Sequence, residues 1–394
     1  MKKELGQFFT TNEILLDSIH KFVKNTTGQI LEPSCGAGHI VDYLIKHGES
    51  RPFECIELDT TVELLEPLKF RSQVSVHHGD FLQYQFGNDQ FMTIVGNPPY
   101  VKRPQKCNIY IEFIDKCIDL LSSNGELILV IPSDFFKLTS SSHVKAKMQE
   151  HGTITHIFHP HNERLFQNAA QDVIVFRFEK GLHTPSILYN DEQRITRFQS
   201  GSIFFTANNL EEIPLSDIFD IKVGMVSGAD KVFRHETLGN IIFKSFNGDV
   251  RYILVNELPA PGQVRDHLES YKEHLLSRRI KKFNESNWFQ WGCIRNSNFV
   301  EQNKGKDCIY CATITRKNQV FVKGNVTNFD GSLLCLLPKQ PIDFDKTLTY
   351  LNSNSFLDNF SFAGRYKLGQ KCLSDCLVPK TLVQAGLSNH QNKF

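Results

Sequence analysis

Seven short apolar runs between residues 28 and 180 constrain the fold of this chain more than any other feature of its sequence. Helix-like patterns separate most of them, near residues 38–47, 60–69, 108–122 and 141–150. Because strands that alternate with helices build parallel sheets with crossover helices, this half of the chain is predicted to be an α/β domain. The predicted strands are 29–32, 53–57, 74–77, 92–95, 127–131, 154–158 and 172–178.

The last of these runs follows its predecessor without a long helix between them, which favours an antiparallel strand near the edge of the sheet. The alternation weakens over residues 181–215, which predicts a domain boundary. We therefore expect two domains, 1–200 and 215–394, each long enough to bury its own core. Shorter strand-like pieces follow at 252–255, 319–322 and 333–337.

Formal charge is divided unevenly between the two halves of the chain. Residues 1–221 carry −8 and residues 222–394 carry +9, although the whole chain stands at +1. A basic half favours contact with a polyanion such as a nucleic acid. Taken alone, this distribution of charge favours a solvated basic surface.

Composition indicates an intracellular protein that is not secreted. Hydrophobic residues make up 40% and charged residues 22% of the chain, as in ordinary globular proteins. No apolar stretch approaches the roughly 18–20 residues that span a bilayer, and no apolar signal segment follows Met1. The ten cysteines are therefore expected to be thiols. The pairs Cys308/Cys311 and Cys372/Cys376 have spacings that could suit zinc. Cys308 and Cys311 lie in a strand-like run, where residues three apart face opposite sides, and we expect buried thiols and no metal.

The tetrapeptide Asn97-Pro98-Pro99-Tyr100 follows the fourth apolar run and carries the most specific chemistry. The side-chain oxygen of Asn97 and the carbonyl of Pro98 are two fixed acceptors for a planar amino group, because proline fixes φ and removes backbone donors. The ring of Tyr100 can lie flat on the base that carries the amine. The tetrapeptide thus predicts methylation of an exocyclic amine. The alternative is a turn that only ends a strand.

A glycine-containing turn and two acidic residues predict a cofactor site. Gly36 and Gly38 lie at the carboxyl end of a strand, where open α/β sheets bind their ligands. Glu57 ends the second strand about 20 residues later and is placed to accept from ribose hydroxyls. Asp80, after the third strand, can accept from an adenine amine, and Phe81 offers the ring an apolar face. Each acid alone is explained as an N-cap or turn residue, but successive strand ends favour one joint site.

Taken in order, these motifs resemble the gamma group, or N12 class, of DNA adenine-N6 methyltransferases, of the kind that occurs in type II restriction-modification systems. The resemblance implies a Rossmann-like seven-stranded methyltransferase sheet followed by a C-terminal mixed α+β target-recognition domain. It also implies that S-adenosylmethionine is the methyl donor and that the substrate is adenine N6 in duplex DNA. The matching segments are 6–11, 31–36, 57–59, 79–81 and 97–100.

The resemblance further implies a role for single residues in binding the cofactor. Thr10 and its neighbours contact the methionine moiety, and Glu32 accepts from the amino group. Glu57 holds the ribose, while Asp80 and Phe81 hold the adenine. The expected cofactor-binding residues are Gln7, Thr10, Glu32, Pro33, Ser34, Cys35, Gly36, Gly38, Glu57, Leu58, Asp80, Phe81, Asn97 and Pro99.

A stacked base cannot bring its amine to a methyl donor, so the target nucleotide must be flipped out. Tyr100 is expected to stack on one face of the base and, by analogy, Phe166 on the other, although Phe166 also suits an ordinary core. The expected catalytic residues are Asn97, Pro98, Tyr100 and Phe166. DNA contacts are expected from Arg316, Arg365 and Lys367, among basic and aromatic candidates that also include Arg278, Trp288 and Trp291.

Three other functions remain open: methylation of adenine in RNA, methylation of a glutamine amide in a protein, and DNA binding without catalysis. The amino-terminal position of motif 6–11 and the large basic half disfavour the first two. The intact set of Glu32, Glu57 and Asp80 disfavours the third. Because the two domains use nearly all of the chain, we expect any cognate restriction endonuclease to be a separate protein, and this enzyme to act on DNA as a monomer.

Overall fold

The computed structural model describes residues 9–88, 90–101, 108–162, 164–166, 171–207, 211–362 and 364–383. The chain divides into two compact units, which do not follow one another simply along the sequence. The first consists of Met1–Asn209 and Asp358–Gly364, and the second of Leu210–Leu357 and Arg365–Phe394. The domain proposal of 1–200 and 215–394 did not include this return of the chain to the first unit.

Both units combine strands and helices. The strands are β1 (Ile30–Glu32), β2 (Phe53–Glu57), β3 (Val74–His78), β4 (Phe91–Gly96), β5 (Leu121–Pro132), β6 (Gly152–Phe158), β7 (Val173–Lys180), β8 (Ser186–Tyr189), β9 (Glu192–Gln199), β10 (Ser202–Thr206), β11 (Glu212–Pro214), β12 (Phe219–Val223), β13 (Ile241–Ser245), β14 (Gly248–Tyr252), β15 (Asp307–Ala312), β16 (Ile314–Thr315), β17 (Phe321–Asn325), β18 (Leu333–Pro338), β19 (Ser361–Phe362), β20 (Arg365–Lys367) and β21 (Leu377–Pro379). The α-helices are α1 (Glu13–Phe22), α2 (His39–Lys46), α3 (Ile109–Leu120), α4 (Ser142–His151), α5 (Leu215–Ile218), α6 (Asp230–Phe233), α7 (Gln263–Ser270), α8 (Lys272–Leu276), α9 (Ser297–Asn303), α10 (Phe344–Leu351), α11 (Asn354–Leu357) and α12 (Gln370–Asp375).

One large sheet organises the first unit, in the strand order β10-β9-β8-β6-β7-β5-β4-β1-β2-β3. Strands β1 to β5 pair in parallel, with β1 between β2 and β4. Strand β7 runs antiparallel to both β5 and β6. The seven predicted strands are all present as β1 to β7, and the α/β class is confirmed.

The central strand β5 shows why the strands could be predicted from apolar runs in the sequence. Its residues Leu127 to Ile131 are fully buried, and successive side chains enter opposite clusters. Leu127, Leu129 and Ile131 pack with α3 and α4, whereas Ile128 and Val130 pack with α1 and α2. A strand covered on both faces gives a continuous apolar run.

Three strands that the sequence did not predict extend the sheet to ten, so the antiparallel β7 is interior rather than near the edge. Strand β9 alternates poorly because it carries Glu, Gln and Arg side chains, and its first two residues are exposed. The expected boundary at 181–215 therefore begins within the sheet. The weaker pattern reflects the polar and partly exposed side chains of β9, not the end of the unit.

The helix predicted over 60–69 is wrong. Only a short 3-10 helix, Glu66–Leu68, forms there, after Leu65 in an extended conformation with ψ 138°. Pro67 removes a backbone donor and its ring collides with the preceding turn, so a helix can begin near Pro67 but cannot continue through it. Helix α1 was not predicted, and its first turn is capped by the side chain of Asn12, which accepts from the Ile14 amide at 3.0 Å.

The returning segment Asp358–Gly364 is bonded into the first unit by buried polar contacts. The Asn359 side chain accepts from the Phe205 amide at 2.9 Å and donates to the Phe205 carbonyl at 3.0 Å. The guanidinium of Arg194 donates to the Asp358 carboxylate at 2.7 Å. This segment thus supplies hydrogen-bond partners at the end of the sheet that β9 and β10 form.

The second unit is a mixed α+β structure around an antiparallel sheet ordered β12-β18-β15-β17, with a β13-β14 hairpin and the pairs β11-β21 and β16-β20. Trp288 and Trp291 lie in its core with 3% and 1% exposure. Arg278 is buried too, and it donates to four carbonyls, those of Ser227, Leu275, Trp288 and Gln290. These three residues are therefore structural, which corrects their inclusion among DNA-contact candidates.

Cys308 and Cys311 are buried in β15. Among the residues that the structure describes, no three His, Cys, Asp or Glu side chains come together as candidate metal ligands. Over the same residues, none of the helices has the length and apolarity needed to cross a bilayer.

Candidate active site

A cleft opens at the carboxyl ends of β1 to β4, where parallel sheets bind ligands. It collects the motifs that the sequence had placed at successive strand ends. Its lining residues are Phe9, Thr10, Glu32, Pro33, Ser34, Cys35, Gly36, His39, Ile40, Glu57, Leu58, Gly79, Asp80, Phe81, Asn97, Pro99, Val101, Ile109 and Phe113. Of the expected cofactor residues, Gln7 lies outside the described part of the chain, and Gly38 is not in the lining.

The turn between β1 and α2 depends on glycine at two positions. Gly36 has φ +53°, and a Cβ there would lie 2.7 Å from the Phe9 ring. Gly38 has φ +84° and precedes α2, where a Cβ would meet Leu68 at 2.5 Å. Gly38 therefore permits the conformation of the turn and its close packing on Leu68, while Gly36 forms part of the cleft wall.

Glu57 is held in a fixed orientation at the end of β2. One carboxylate oxygen accepts from the Gly36 amide at 2.7 Å, and the other accepts from the Asp59 amide at 2.8 Å. A carboxylate has about four acceptor positions, so two backbone bonds leave capacity for hydroxyl donors. The side chain is 6% exposed and borders the cleft.

Glu32 is the electrostatically unusual residue of the cleft. It is 1% exposed, and its Oε2 atom has no hydrogen-bond partner among the residues that the structure describes. Burial, followed by the nearby Cys35 and Glu57, raises the pKa of the Glu32 carboxyl well above its ordinary value. A buried carboxyl oxygen without a partner is costly, and a cationic amine would supply the missing donor.

Asp80 and Phe81 form another part of the wall, immediately after β3. Asp80 accepts from the Leu82 amide at 2.9 Å, which fixes the turn. Phe81 packs against Phe113 of α3 with ring centroids 4.8 Å apart. The ammonium of Lys116, one turn further along α3, donates to the carbonyls of Phe81 and Tyr84, both at 2.6 Å. Helix α3 thus anchors this loop.

Asn97 joins the cleft to the amino-terminal motif. Its Nδ2 donates to the Thr10 hydroxyl at 3.0 Å, and its backbone carbonyl accepts from the Ser34 hydroxyl at 3.2 Å. The Tyr100 hydroxyl lies 2.5 Å from Asn97 Oδ1 and 2.9 Å from the Val130 carbonyl. Burial raises the pKa of the Tyr100 hydroxyl, so this group stays a donor. Pro98 is buried, and Pro99 lies at the cleft wall.

The rings of Tyr100 and Phe166 are neighbours but are not parallel. Their centroids are 6.4 Å apart with an interplanar angle of 75°, an edge-to-face contact. Phe166 is 5% exposed and packs in the core cluster shared with α1 and α2. A base between two parallel rings would need one of the rings to turn.

Several residues of the cleft were not predicted individually. Phe9 and Gly79 lie within the predicted motifs 6–11 and 79–81, although neither was named as a site residue. Ile109 and Phe113 are four apart on α3, and that spacing places them on one helix face. His39, Ile40 and Val101 carry no signal beyond their position next to the glycine turn or the tetrapeptide.

The three expected DNA-contact residues are brought together in the second unit. Strands β16 and β20 pair antiparallel, with Ile314 opposite Lys367 and Thr315 opposite Tyr366. Arg316 follows β16 directly, so it continues this ribbon beside Arg365, the first residue of β20. Arg316 and Lys367 are exposed, and Arg365 is partly buried. We call these three side chains the cationic ribbon.

Comparison with known proteins finds methyltransferases among those to which this chain is similar. The chain is 24% identical to the type II methyltransferase M.HindII of Haemophilus influenzae, over 90% of this chain and 84% of that protein. It is 34% identical to the modification methylase CviBIII of Paramecium bursaria Chlorella virus NC1A, over 34% of this chain and 39% of that protein. It is also 34% identical to an rRNA adenine N-6-methyltransferase of Streptococcus sanguinis, over 36% of this chain and 56% of that protein.

Similarity to solved structures is weak. The type IIG restriction endonuclease BpuSI matches with 14% identity and a TM-score of 0.38, over 93% of this chain and 57% of that chain. A putative class I S-adenosylmethionine-dependent methyltransferase from Listeria monocytogenes matches with 16% identity and a TM-score of 0.37, over 45% of this chain and 62% of that chain. The fold assignment rests on the strand order given above.

The family model for the Eco57I restriction-modification methylases matches residues 54–166. That range includes the end of β2, the loop after β3, the tetrapeptide and Phe166. The resemblance to restriction-modification methyltransferases inferred from the motifs is confirmed, and the methyl donor that it implies is S-adenosylmethionine. Over residues 54–166 the chain is therefore similar to the Eco57I restriction-modification methylases.

Proposed function

We propose that this protein transfers a methyl group from S-adenosylmethionine to the N6 amine of an adenine flipped out of duplex DNA, at a specific sequence. The observation that carries the proposal is the position of Asn97. Its amide lies in the wall of the same cleft as the acids Glu32, Glu57 and Asp80. The side-chain oxygen of Asn97, which can accept from the target amine, thus borders a site whose acids suit S-adenosylmethionine.

The acids of the cleft suit the donor by their individual chemistry. Glu32 offers a buried oxygen, without a partner in the described part of the chain, to the amino group of the methionine moiety. Glu57, oriented by two backbone amides, offers its remaining acceptor positions to the ribose hydroxyls. Asp80 and Phe81 offer an acceptor and an apolar face to the adenine. The bound donor supplies an electrophilic methyl group, and the protein's residues hold its reacting partner.

Asn97 and Tyr100 orient the amine that receives the methyl group. An amide oxygen has two acceptor positions, so Asn97 Oδ1 can accept from the target amine while Tyr100 occupies the other. The bond from Asn97 Nδ2 to Thr10 prevents the amide from turning over. The Pro98 carbonyl is the second acceptor in the proposal. Such fixed acceptors align the amine lone pair with the methyl group, and positioning contributes most of the rate.

Tyr100 and Phe166 can hold the flipped base by stacking. We propose that the target adenine stacks on Tyr100 and that Phe166 covers its other face after leaving the present edge-to-face contact. Stacking on an aromatic side chain contributes about 1–3 kcal/mol per base, which offsets much of the cost of flipping. The cationic ribbon of Arg316, Arg365 and Lys367 would bind the backbone of the duplex. A separate cognate restriction endonuclease, an intracellular location and action as a monomer belong to the same proposal.

RNA is the second candidate substrate. The 34% identity to the Streptococcus sanguinis protein named as an rRNA adenine N-6-methyltransferase favours it. That similarity covers 36% of this chain, whereas the similarity to M.HindII covers 90%. The wider similarity includes the half that carries the cationic ribbon, and for this reason we favour DNA.

Transfer of labelled methyl from S-adenosylmethionine to unmethylated duplex DNA, ribosomal RNA and a protein extract, assayed in parallel, tests the proposal. Nucleoside analysis then identifies the product, and methylation-aware sequencing gives the DNA sequence that is recognised. N6-methyladenine in DNA is the expected result. Label confined to RNA or to protein glutamine would retain the cleft assignment and replace the substrate. Cofactor binding without any transfer would point to a non-catalytic DNA-binding protein.

A further inference from the structure

A buried polar network lies at the same edge of the sheet as the cleft, but it is not part of the cleft lining. The Nε2 atom of His159 lies 3.1 Å from both carboxylate oxygens of Asp172. The Ser133 hydroxyl also donates to Asp172, and the Ser133 amide donates to the Asp172 carbonyl at 3.1 Å. The Nδ1 atom of His159 lies 3.0 Å from the Tyr189 hydroxyl.

These contacts fix the proton arrangement of the histidine. Asp172 is an acceptor, so Nε2 carries the hydrogen and donates to it. Nδ1 is then able to accept from the hydroxyl of Tyr189. Asn190 holds the backbone of the same histidine, since its side chain accepts from the His159 amide at 2.7 Å and donates to the His159 carbonyl at 3.0 Å.

The network joins the ends of four strands. Ser133 follows β5, His159 follows β6, Asp172 precedes β7 and Tyr189 ends β8. His159 and Asp172 are therefore the first and last residues of the connection between β6 and β7. Residues 160–171 lie between them, and among these are Leu165 and Phe166. The hydrogen-bonded pair of His159 and Asp172 therefore joins the two ends of the segment that carries Phe166.

We propose that the His159–Asp172 pair is a positioning pair that sets the place of Phe166 opposite Tyr100, and so controls how the flipped base is held. The inference rests on the proposed function for its consequence in catalysis, but not for its structural part. Neither residue can touch substrate, because His159 is 2% and Asp172 1% exposed. They act through the segment whose two ends they hold together.

A purely stabilising role predicts something different. Breaking any buried polar pair lowers the free energy of unfolding, because the remaining polar group no longer has that partner. Another buried pair lies further along the same strand β7, where Arg177 donates to Glu126 at 3.0 Å. Arg177 is 5% exposed, and its other side-chain bonds go to Thr155 and Glu179, not to the network. Arg177→Met is therefore a matched control for a loss of stability.

The test compares His159→Leu, His159→Gln and Arg177→Met in the full chain. His159→Leu removes both ring nitrogens, whereas His159→Gln restores a donor to Asp172 at the position of Nε2. We expect amide hydrogen exchange at Leu165 and Phe166 to accelerate in His159→Leu, and to return towards the wild-type rate in His159→Gln. Arg177→Met should leave exchange at these two residues unchanged.

Methylation kinetics supply the second measurement. In His159→Leu we expect kcat to fall about tenfold or more, because small misplacements of a positioning group are costly, while KM for S-adenosylmethionine stays within about twofold. His159→Gln should recover most of kcat. Should His159→Leu fail to fold, Ser133→Ala removes one donor to Asp172 and should show the same changes to a smaller extent.

Unchanged exchange at Leu165 and Phe166 in His159→Leu would overturn the inference, as would an equal fall in kcat in Arg177→Met. Failure of the proposed function has a different signature, namely a wild-type protein that methylates no DNA. In that case the exchange experiment still decides whether the pair holds the segment, because it needs no substrate.

Discussion

Asn97 does two things with one amide. Its nitrogen donates a hydrogen bond to the Thr10 hydroxyl, and its oxygen lies beside the Tyr100 hydroxyl. Both ends of the amide are therefore oriented before a base binds. Preorganised polar groups accelerate reactions because they need no rearrangement at the moment of transfer. The amide is thus a positioned acceptor whose geometry depends on both Tyr100 and the distant Thr10.

Removing that amide should abolish transfer without unfolding the protein. In Asn97→Ala we expect kcat to fall at least about a hundredfold, because one preorganised polar group is removed from the reacting centre. Affinity for S-adenosylmethionine should change little. Steady-state kinetics and calorimetric titration would measure the two effects. Asn25→Ala is the control, since the Asn25 amide donates to the Met92 carbonyl at the other end of β4. Retention of most of the rate in Asn97→Ala would contradict the assigned role.

Glu32 gives the stability of the cofactor-free protein a pH dependence. The pKa of this carboxyl is raised in the folded state above its ordinary 4.5, so the folded protein holds the proton more tightly than the unfolded chain. The resulting stabilisation is complete below about pH 4.5 and disappears as the pH rises through the folded-state pKa. We expect Glu32→Gln to remove this pH dependence. Chemical denaturation over a pH series would measure it, and the exposed Glu66→Gln should leave the profile as in wild type.

Among the elements, the ones that could be predicted from sequence are those buried on both sides. Strand β5 reads as a continuous apolar run because Leu127 to Ile131 face two packed layers. Strand β9 was missed because half-exposed Arg and Gln side chains interrupt its pattern. The helix predicted over 60–69 was wrong because its apolar pattern is helical but Pro67 interrupts the backbone hydrogen bonds that a helix needs. The His159–Asp172 pair has no periodic signal, since two polar residues 13 apart meet only through the tertiary fold.

The sequence could predict that the acids and glycines of the motifs would lie near one another. Acids and glycines at successive strand ends must lie at one edge of a parallel sheet, so their order along the chain already places them together. The sequence could not predict the packing contacts that support the cleft from behind its lining residues. The close approach of Gly36 to Phe9 and the anchoring of the 80–84 loop by Lys116 depend on how α3 and the amino-terminal segment pack.

Helix α3 should therefore influence cofactor binding through Lys116. In Lys116→Met the carbonyls of Phe81 and Tyr84 no longer have their charged donor, and we expect the Kd for S-adenosylmethionine to rise about tenfold, or about 1.4 kcal/mol. Calorimetric titration would measure it. Lys180→Met is the matched control, because Lys180 also donates to two carbonyls, those of Ile118 and Leu121, but at the carboxyl end of α3. Equal weakening in both variants would indicate a general loss of stability instead.

For the whole molecule, the division of charge separates two tasks. The half that contains the cofactor cleft carries −8 over residues 1–221, and the half that contains the cationic ribbon carries +9. Attraction to a polyanion is then confined to one part of the chain. Binding to DNA should depend strongly on salt, while binding of S-adenosylmethionine should not.

The ribbon residues should account for part of that salt dependence. For Arg316→Ala, Arg365→Ala and Lys367→Ala we expect the slope of log K against log salt for duplex DNA to decrease by roughly 0.9 for each phosphate that the variant no longer neutralises. Fluorescence anisotropy over a salt series would measure it. Lys323→Ala is the charge-matched control, because Lys323 pairs with Asp307 at 2.9 Å on a different sheet. An unchanged slope in all three ribbon variants would remove the ribbon from the DNA interface.

The return of Asp358–Gly364 to the first unit limits how freely the second unit can be exchanged between related proteins. A chain cut after residue 209 would lack Asn359 and Asp358, leaving the Phe205 backbone and the Arg194 guanidinium without these buried partners. A chimera that takes its second unit from a relative must therefore keep this heptapeptide from the recipient, or import the strands β9 and β10 with it. Recombination between such enzymes is then expected to tolerate three junctions, near residues 209, 357 and 365, rather than one.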